Sequence, residues 1–224
     1  MAEPTPKELF DLGMHNYDKQ DFSKARKYFE KACDLKYGGG CGALGDLYDD
    51  VEKNLIKAAQ FYSKACGLKD GRGCFNLGRL YYFGEGVEKN LTKASQYFSK
   101  ACGLNNSGGC GALGMQYEFG QGVEKNLIKV AYFYSKACDL NNGGGCKNLG
   151  VLYHNGEGVE KDLIKAAHFY SKACDLKEGM GCGNLGVLYY NGDGVKRDSK
   201  KADQYFSKAC KLGNQEACEA LKEK

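Results

Sequence analysis

Cysteine is the residue type whose number and spacing in this sequence point most directly to chemistry. The chain of 224 residues contains 12 cysteines. All of them fall into pairs whose members stand eight positions apart, as in "CDLKYGGGC" at 33–41. An even number of cysteines at a fixed spacing is typical of a disulfide framework. The pairs are Cys33 and Cys41, Cys66 and Cys74, Cys102 and Cys110, Cys138 and Cys146, Cys174 and Cys182, and Cys210 and Cys218.

Two other uses of these cysteines are free thiols and a metal site. Free thiols would pack in the core as small apolar side chains. A structural zinc site favours ligands two to four residues apart, and the sequence has only 3 histidines. We therefore expect disulfides, no metal and no cofactor. Disulfides in turn predict an oxidising compartment, which is the periplasm or the outside of the cell.

The cysteine pairs also mark an internal repeat. From Cys66 to Cys210 they recur every 36 residues, whereas Cys33 and Cys66 are 33 residues apart. The three missing residues belong to a Gly-x-Gly turn, which is present in "YYFGEGVEKN" at 81–90 and absent from "YDDVEKN" at 48–54. A repeat of this length is typical of a solenoid in which supersecondary units stack on their neighbours.

Each repeat contains two amphipathic helical patterns, and the sequence shows no strand pattern. The first, called helix A, lies in "CFNLGRLYYFG" at 74–84 and places Leu77, Leu80 and Tyr81 on one face. The second, called helix B, lies in "NLTKASQYFSKACGL" at 90–104 and has an apolar face of its own. The sequence therefore predicts six helical hairpins followed by one terminal helix.

Short local signals delimit these helices. Asn90 stands where an N-cap belongs, and a short polar residue holds the same place in the other repeats. The glycines of "GEGV" are expected to supply the positive φ that ends helix A. Gly78 lies inside helix A, where glycine costs about 1 kcal/mol against alanine, so we expect close approach of a neighbouring helix. The other predicted caps are Asn54, Asn126, Asp162 and Asp198.

The positions of the cysteines in the helices favour local pairing. One thiol of each pair lies in the last turn of helix B and the other in the first turn of the next helix A. A short loop can bring them to the Cα separation that a disulfide needs. The rival scheme, which would link Cys74 to Cys102, leaves Cys33 and Cys218 without partners. The local scheme uses every cysteine, and we prefer it for that reason.

The segment "CFNLGRLYYFGEGVEKNLTKASQYFSKACGL" resembles the Sel1-like repeat, a relative of the tetratricopeptide repeat. With its paired cysteines, the chain is similar to the Helicobacter cysteine-rich protein family. The resemblance implies an all-α fold, a right-handed α/α solenoid of helical hairpins with a disulfide at each junction. It places an N-terminal capping hairpin at 5–36, a shortened repeat at 37–70, full repeats at 71–106, 107–142, 143–178 and 179–213, and a capping helix at 214–224.

Resemblance to tetratricopeptide proteins also implies a ligand groove along helix A, on the concave face. In those proteins an asparagine at this position hydrogen-bonds the backbone of a bound peptide, because its side-chain amide has both donors and an acceptor. Arg79 could bind a carboxylate in bidentate fashion. The alternative is that these positions are merely solvated. The predicted groove residues are Asn76, Arg79, Tyr82, Lys147, Asn148, His154, Asn184 and Tyr190.

The resemblance implies a secreted scaffold, a monomer that binds an extended peptide, a peptidoglycan-like peptide or a host protein. Family members are also described as binding penicillin or slowly hydrolysing β-lactams, and this is the alternative function. The sequence contains no S-x-x-K and no K-T-G element, which serine β-lactamases use. We therefore predict no catalytic residues, and the β-lactam reading depends on the resemblance alone.

Composition argues against two further classes of partner. The net charge of +4 comes from 32 basic and 28 acidic residues, which is too even a balance to indicate nucleic-acid binding. The lysines of helix B come with nearby acids and are expected to form a solvated convex face. No apolar stretch approaches the roughly 18 residues of a membrane span.

The start "MAEPTPKEL" lacks a hydrophobic region, so we expect a signal peptide to have been removed before it.

Overall fold

The computed structural model describes residues 3–222. Within this range the chain forms thirteen α-helices and one π-helical turn, and it contains no strand. The π-helical turn is Leu47–Val51. The helices are α1 (Pro6–Asp18), α2 (Phe22–Asp34), α3 (Gly38–Asp46), α4 (Leu55–Gly67), α5 (Gly71–Phe83), α6 (Leu91–Gly103), α7 (Ser107–Phe119), α8 (Leu127–Asp139), α9 (Gly143–Asn155), α10 (Leu163–Asp175), α11 (Gly179–Asn191), α12 (Ser199–Lys211) and α13 (Gln215–Lys222).

The odd-numbered helices are the A helices and the even-numbered helices are the B helices. They form six hairpins followed by the single helix α13, which confirms the predicted all-α hairpin architecture. None of the helices within residues 3–222 combines the length and the apolar character that crossing a membrane requires. The chain divides into two compact units. The first unit runs to Gly109 and includes Gln121–Val123, and the second comprises Cys110–Gly120 and the residues from Glu124 onward.

Each predicted N-cap holds the start of a B helix. The side chain of Asn90 accepts a hydrogen bond from the backbone N–H of Lys93 at 2.8 Å. The backbone N–H of Asn90 also donates to the carbonyl of Tyr81 at 2.8 Å, which ties the end of the loop to helix A. The same side-chain bond forms at the other four predicted positions, which are Asn54, Asn126, Asp162 and Asp198. These cap predictions are confirmed.

The shortened repeat closes its hairpin with the π-helical turn. In a full repeat, helix A ends at a glycine with positive φ, such as Gly84 at +78°. Where that turn is missing, α3 continues into the wider turn Leu47–Val51. The backbone N–H of Asn54 then reaches the carbonyl of Tyr48 at 2.7 Å, the same bond that Asn90 makes with Tyr81. The π-helical turn thus makes up for the deletion and keeps the start of the next B helix in place.

The glycine inside helix A permits close contact with the paired B helix. A Cβ on Gly78 would lie 2.7 Å from ring atoms of Phe98, and real Cβ contacts are almost never this short. The aromatic ring therefore lies directly against the backbone of α5, and the predicted close approach is confirmed. Burial of the ring offsets the poor helix propensity of glycine.

Lysines and aromatic rings form a repeated stack along the hairpins. Tyr81 of α5 is stacked on Tyr97 of α6, with ring centroids 5.5 Å apart and 7° between the planes. The ammonium of Lys93 lies 5.2 Å from the Tyr81 ring, and that of Lys100 lies 5.2 Å from the Tyr97 ring. The lysines are exposed, as a solvated face requires, and they also make cation–π contacts, which the sequence analysis did not anticipate. The other stacked pairs are Tyr48 with Phe61, Tyr117 with Phe133, Tyr153 with Phe169, and Tyr189 with Tyr205.

Within each unit, disulfides cross-link the end of a B helix to the start of the next A helix. In Cys174–Cys182 the Cα atoms are 4.5 Å apart, and both side chains are buried. Cys102 and Cys110 are disulfide-bonded as well, and the described residues include no free cysteine. The predicted disulfide at each junction is confirmed. The remaining pairs are Cys33–Cys41, Cys66–Cys74, Cys138–Cys146 and Cys210–Cys218.

Candidate ligand-binding face of the A helices

In the first unit, the predicted groove residues Asn76 and Arg79 are engaged by acidic side chains of the preceding repeat. The side-chain amide of Asn76 donates to Asp46 at 3.1 Å. Arg79 pairs with Asp49 and lies 3.4 Å from Glu85. Its predicted carboxylate partner is thus supplied by the protein itself.

Asp46 is the centre of this polar network. Its carboxylate accepts hydrogen bonds from the Tyr62 hydroxyl at 3.0 Å and from Asn76, and it forms an ion pair with Arg72 at 2.8 Å. Burial raises the pKa of the Asp46 carboxyl, and Arg72 opposes that effect. Burial and the nearby carboxylates raise the pKa of Tyr62 far above its ordinary value, so the hydroxyl remains a donor. The helix A face of the first unit is therefore largely satisfied by its own charges.

Tyr82 is the third predicted groove residue of the first unit. Its hydroxyl donates to the Gln121 side chain at 2.8 Å, and its ring contacts Phe83 edge to face at 4.9 Å. Phe83 is exposed. The end of α5 therefore offers an aromatic pair with one hydroxyl already bonded.

In the second unit, the predicted asparagines face tyrosines of the preceding B helix. Asn148 makes a side-chain hydrogen bond to the hydroxyl of Tyr134, which in turn donates to Glu118 at 2.5 Å. Asn184 makes the corresponding bond to Tyr170. Burial raises the pKa of Tyr170 to about 12, and the bond from Asn184 acts in the opposite direction. Each asparagine thus connects two repeats and keeps part of its amide for another partner.

The other predicted residues of the second unit differ in their exposure. Lys147 and His154 are half-buried, and the Nδ1 atom of His154 is buried without a hydrogen-bond partner. Tyr190 is 46% exposed, and the guanidinium of Arg197 lies 5.9 Å from its ring centroid. The structure therefore places the predicted groove residues on A helices in both units, but in different environments.

The helix A face of the second unit carries exposed apolar side chains. Met115 is 43% exposed, Phe119 65% and Val187 44%. Near α13, a cleft of about 200 Å³ is lined by Asn184, Val187 and Phe206, among others. This face combines apolar contacts with amide groups, which suits the backbone and side chains of an extended peptide. Within residues 3–222, no group of three or more His, Cys, Asp or Glu side chains is arranged to hold a metal ion.

The B-helix residue that lies beneath this face was not predicted from the sequence. One position of helix B is either phenylalanine or tyrosine, and its ring contacts the glycine of helix A. The variation between phenylalanine and tyrosine is visible in the sequence and could have indicated the site, because a buried tyrosine hydroxyl needs a hydrogen-bond partner. The residues at this position are Phe29, Tyr62, Phe98, Tyr134, Tyr170 and Phe206.

Comparison with known proteins agrees with this architecture. The family model described as Sel1 repeat matches residues 9–37, 40–70, 71–106, 109–142, 145–178 and 180–214. The chain is 60% identical over 58 residues to a protein of Helicobacter pylori named "Putative beta-lactamase HcpC", which is 25% of this chain and 20% of that protein. The chain thus spans about a fifth of the length of the curated relatives it matches.

Two solved structures show the same fold. A protective antigen of uropathogenic Escherichia coli strains, with an SLR fold, has a TM-score of 0.88 at 27% identity, covering 96% of this chain and 48% of the other. Helicobacter pylori cysteine rich protein B has a TM-score of 0.50 at 47% identity, covering 59% of this chain and 96% of the other. With a match to each of the six hairpins, the chain belongs to the Sel1 repeat family.

Proposed function

We propose that the protein is an interaction scaffold whose A helices bind an extended peptide segment of a partner protein. The observation that carries the proposal is the helix A face of the second unit, where exposed Met115, Phe119 and Val187 accompany the amides of Asn148 and Asn184. Apolar side chains can bind alternate side chains of a peptide, while the amides bind its backbone. Disulfides at the junctions keep the free protein close to its bound conformation, which reduces the entropic cost of binding.

A peptide selection tests this function. Immobilised protein is screened with a phage library of random linear 12-residue peptides, and the selected peptides are synthesised for affinity measurement. Replacing both Asn148 and Asn184 with alanine should weaken binding about tenfold, because two hydrogen bonds of about 0.5–1.5 kcal/mol each are lost. The matched control replaces Gln96 and Gln204, exposed amides of the B helices, and should leave the affinity unchanged. Unchanged affinity of the asparagine variant would remove the assignment to this face.

We also propose that the protein acts outside the reducing cytosol, in the periplasm or after secretion. The five cross-linked junctions within the units and the disulfide-bonded state of Cys102 and Cys110 support this location, because thiols are kept reduced in the cytosol. Fractionation of the native cells, with thiol labelling before any reductant is added, tests it. Protein that is found in the cytosolic fraction with its thiols reactive would contradict the proposal.

Binding or slow hydrolysis of β-lactams is the second candidate. It is supported by the name of the Helicobacter pylori relative, which matches only 25% of this chain. The test is a nitrocefin assay together with binding of a fluorescent penicillin to the pure protein. Saturable turnover that a single substitution abolishes would favour the enzyme over the scaffold.

A further inference from the structure

The aromatic position of helix B varies together with a position of helix A in the same hairpin. Where helix B has phenylalanine, helix A has tyrosine five residues after its "LG" leucine. Where helix B has tyrosine, that helix A position is an acid or a histidine. The phenylalanine hairpins pair Phe29 with Tyr17, Phe98 with Tyr82 and Phe206 with Tyr190, and the tyrosine hairpins pair Tyr62 with Asp49, Tyr134 with Glu118 and Tyr170 with His154.

Two of the three tyrosines at this position of helix B donate their hydroxyl proton to a carboxylate of their own hairpin. The Tyr62 hydroxyl lies 3.0 Å from Asp46 and 3.4 Å from Asp49. The Tyr134 hydroxyl lies 2.5 Å from Glu118. A buried hydroxyl beside a carboxylate makes a strong, charge-assisted hydrogen bond. The face of each of these two hairpins is thus closed by an internal acid.

The hairpin of Tyr170 has the same donors and lacks the acid. Val151 stands where the first tyrosine hairpin has Asp46, and His154 stands where it has Asp49. Gly150 lies against the Tyr170 ring, and His154 follows it by one helical turn on the same side of α9. The Nδ1 atom of His154 is buried and has no hydrogen-bond partner, which in a native structure calls for an explanation.

The first unit shows what such a donor set holds. Tyr62 and Asn76 bind the same oxygen of Asp46, at 3.0 and 3.1 Å. Tyr170 and Asn184 are the same two residue types at the equivalent positions three repeats later. The side chain of Val151 offers no oxygen to Tyr170 and Asn184, so this pair lacks the internal carboxylate that Asp46 supplies in the first unit.

We propose that Tyr170, Asn184 and His154 form a binding site for a carboxylate of the ligand, which takes the place that Asp46 holds in the first unit. The Tyr170 hydroxyl, the Asn184 amide and the Nδ1–H of His154 are its three donors. This inference rests on the proposed peptide-binding function and adds the chemistry that one segment of the peptide must have. The carboxylate is either the free C-terminus of the peptide or the side chain of an aspartate or glutamate.

The test uses three short peptides and NMR signals of the His154 imidazole in the full chain. Ac-Ala-Ala-Ala-OH offers a terminal carboxylate, Ac-Ala-Asp-Ala-NH₂ a side-chain carboxylate, and Ac-Ala-Asn-Ala-NH₂ is the uncharged isostere. We expect at least one of the two acids to shift the His154 signals saturably, and the isostere to bind at least tenfold more weakly. Which acid binds identifies the source of the carboxylate.

One variant supplies the missing acid from within the protein. His154→Glu reproduces the arrangement of Tyr134 with Glu118 and should weaken binding of the acidic peptides at least tenfold. Binding to this variant is followed on the NMR signals of Val151. The matched control is Ile164→Glu, which adds the same charge at a position that is 71% exposed on a B helix and should leave binding unchanged. Equal binding by the isostere, no saturable shift by either acid, or full binding to His154→Glu would each overturn the carboxylate site.

The peptide-binding function and the carboxylate site can be disproved independently. If the carboxylate test fails while selected peptides still depend on Asn148 and Asn184, the peptide-binding function stands and the carboxylate site is wrong. If selected peptides bind independently of both asparagines, the helix A face is wrong as well.

Discussion

Gly150 of α9 lies directly under the ring of Tyr170 of α10. A Cβ at Gly150 would come within 2.6 Å of the Cδ1 and Cε1 atoms of that ring. The tyrosine hydroxyl is thereby placed at the face of the A helices that contains the candidate site. The glycine therefore sets both the packing of the hairpin and the position of a polar group on the candidate site.

Replacing this glycine should destabilise the protein although alanine is the better helix former. Gly150→Ala gains about 1 kcal/mol of helix propensity but loses about 1–3 kcal/mol or more to overpacking against the ring. We expect a net loss of about 1–2 kcal/mol in the free energy of unfolding, measured in urea. Gly67→Ala is the control, because nothing lies within 4 Å of a Cβ there, and it should stabilise the protein. Equal effects of the two substitutions would contradict the packing argument.

Lysines in the left-handed region are a second local feature. Lys177, in the junction between α10 and α11, has φ of 62°. Lys177→Gly should raise the free energy of unfolding by about 0.5–1 kcal/mol, because glycine adopts this conformation without the penalty of a Cβ. The same change at Lys31, inside α2, should lower it by about 1 kcal/mol. Chemical denaturation of both variants checks the opposite signs, and a loss of stability at Lys177 would contradict the expectation.

The junction disulfides should each stabilise the connection between two successive hairpins. The nine-residue loop closed by Cys174 and Cys182 predicts a loss of about 2–3 kcal/mol when both are replaced with alanine. Alanine is the suitable substitute because both side chains are buried. Denaturation of the double variant measures the loss. Peptide mapping of the unreduced wild-type protein should recover the two cysteines in one cross-linked fragment, and a bond to any other cysteine would contradict the local pairing.

Much of the fold could be predicted because its signals are local. Asn90 caps its helix within three residues, and Gly78 marks a close contact within one hairpin. The bond from Asn76 to Asp46 spans 30 positions in sequence and depends on how successive repeats stack. That stacking cannot be predicted from residue periodicity. Arg79 was therefore expected to bind a carboxylate of a ligand, whereas in the structure it pairs with Asp49. The contacts of Lys93 and Lys100 with aromatic rings were missed because a charge pattern alone indicates solvent exposure.

Removing the hydroxyl at equivalent tyrosines should distinguish a hairpin with an internal acid from a hairpin without one. Tyr62→Phe deprives Asp46 and Asp49 of a shared donor, and hydrogen bonds to charged groups contribute about 1.5–3 kcal/mol. We expect a loss of about 1–2 kcal/mol, since Arg72 and Arg79 keep their ion pairs with these acids. Tyr170→Phe removes a hydroxyl that has no carboxylate partner in its hairpin and should cost less than about 0.5–1 kcal/mol.

Phenylalanine is already accommodated at the same position as Phe98 and Phe206, so neither change should disturb the packing of the ring against its glycine. The difference between the two variants therefore compares the carboxylate partners of Tyr62 with the bond that Asn184 makes to Tyr170. Denaturation in urea at neutral pH gives both values, and the comparison can be repeated in the background of His154→Glu. In that background Tyr170→Phe should become as costly as Tyr62→Phe, because an acid then faces the hydroxyl. An unchanged cost would show that position 154 does not reach Tyr170, and the carboxylate site would lose its histidine.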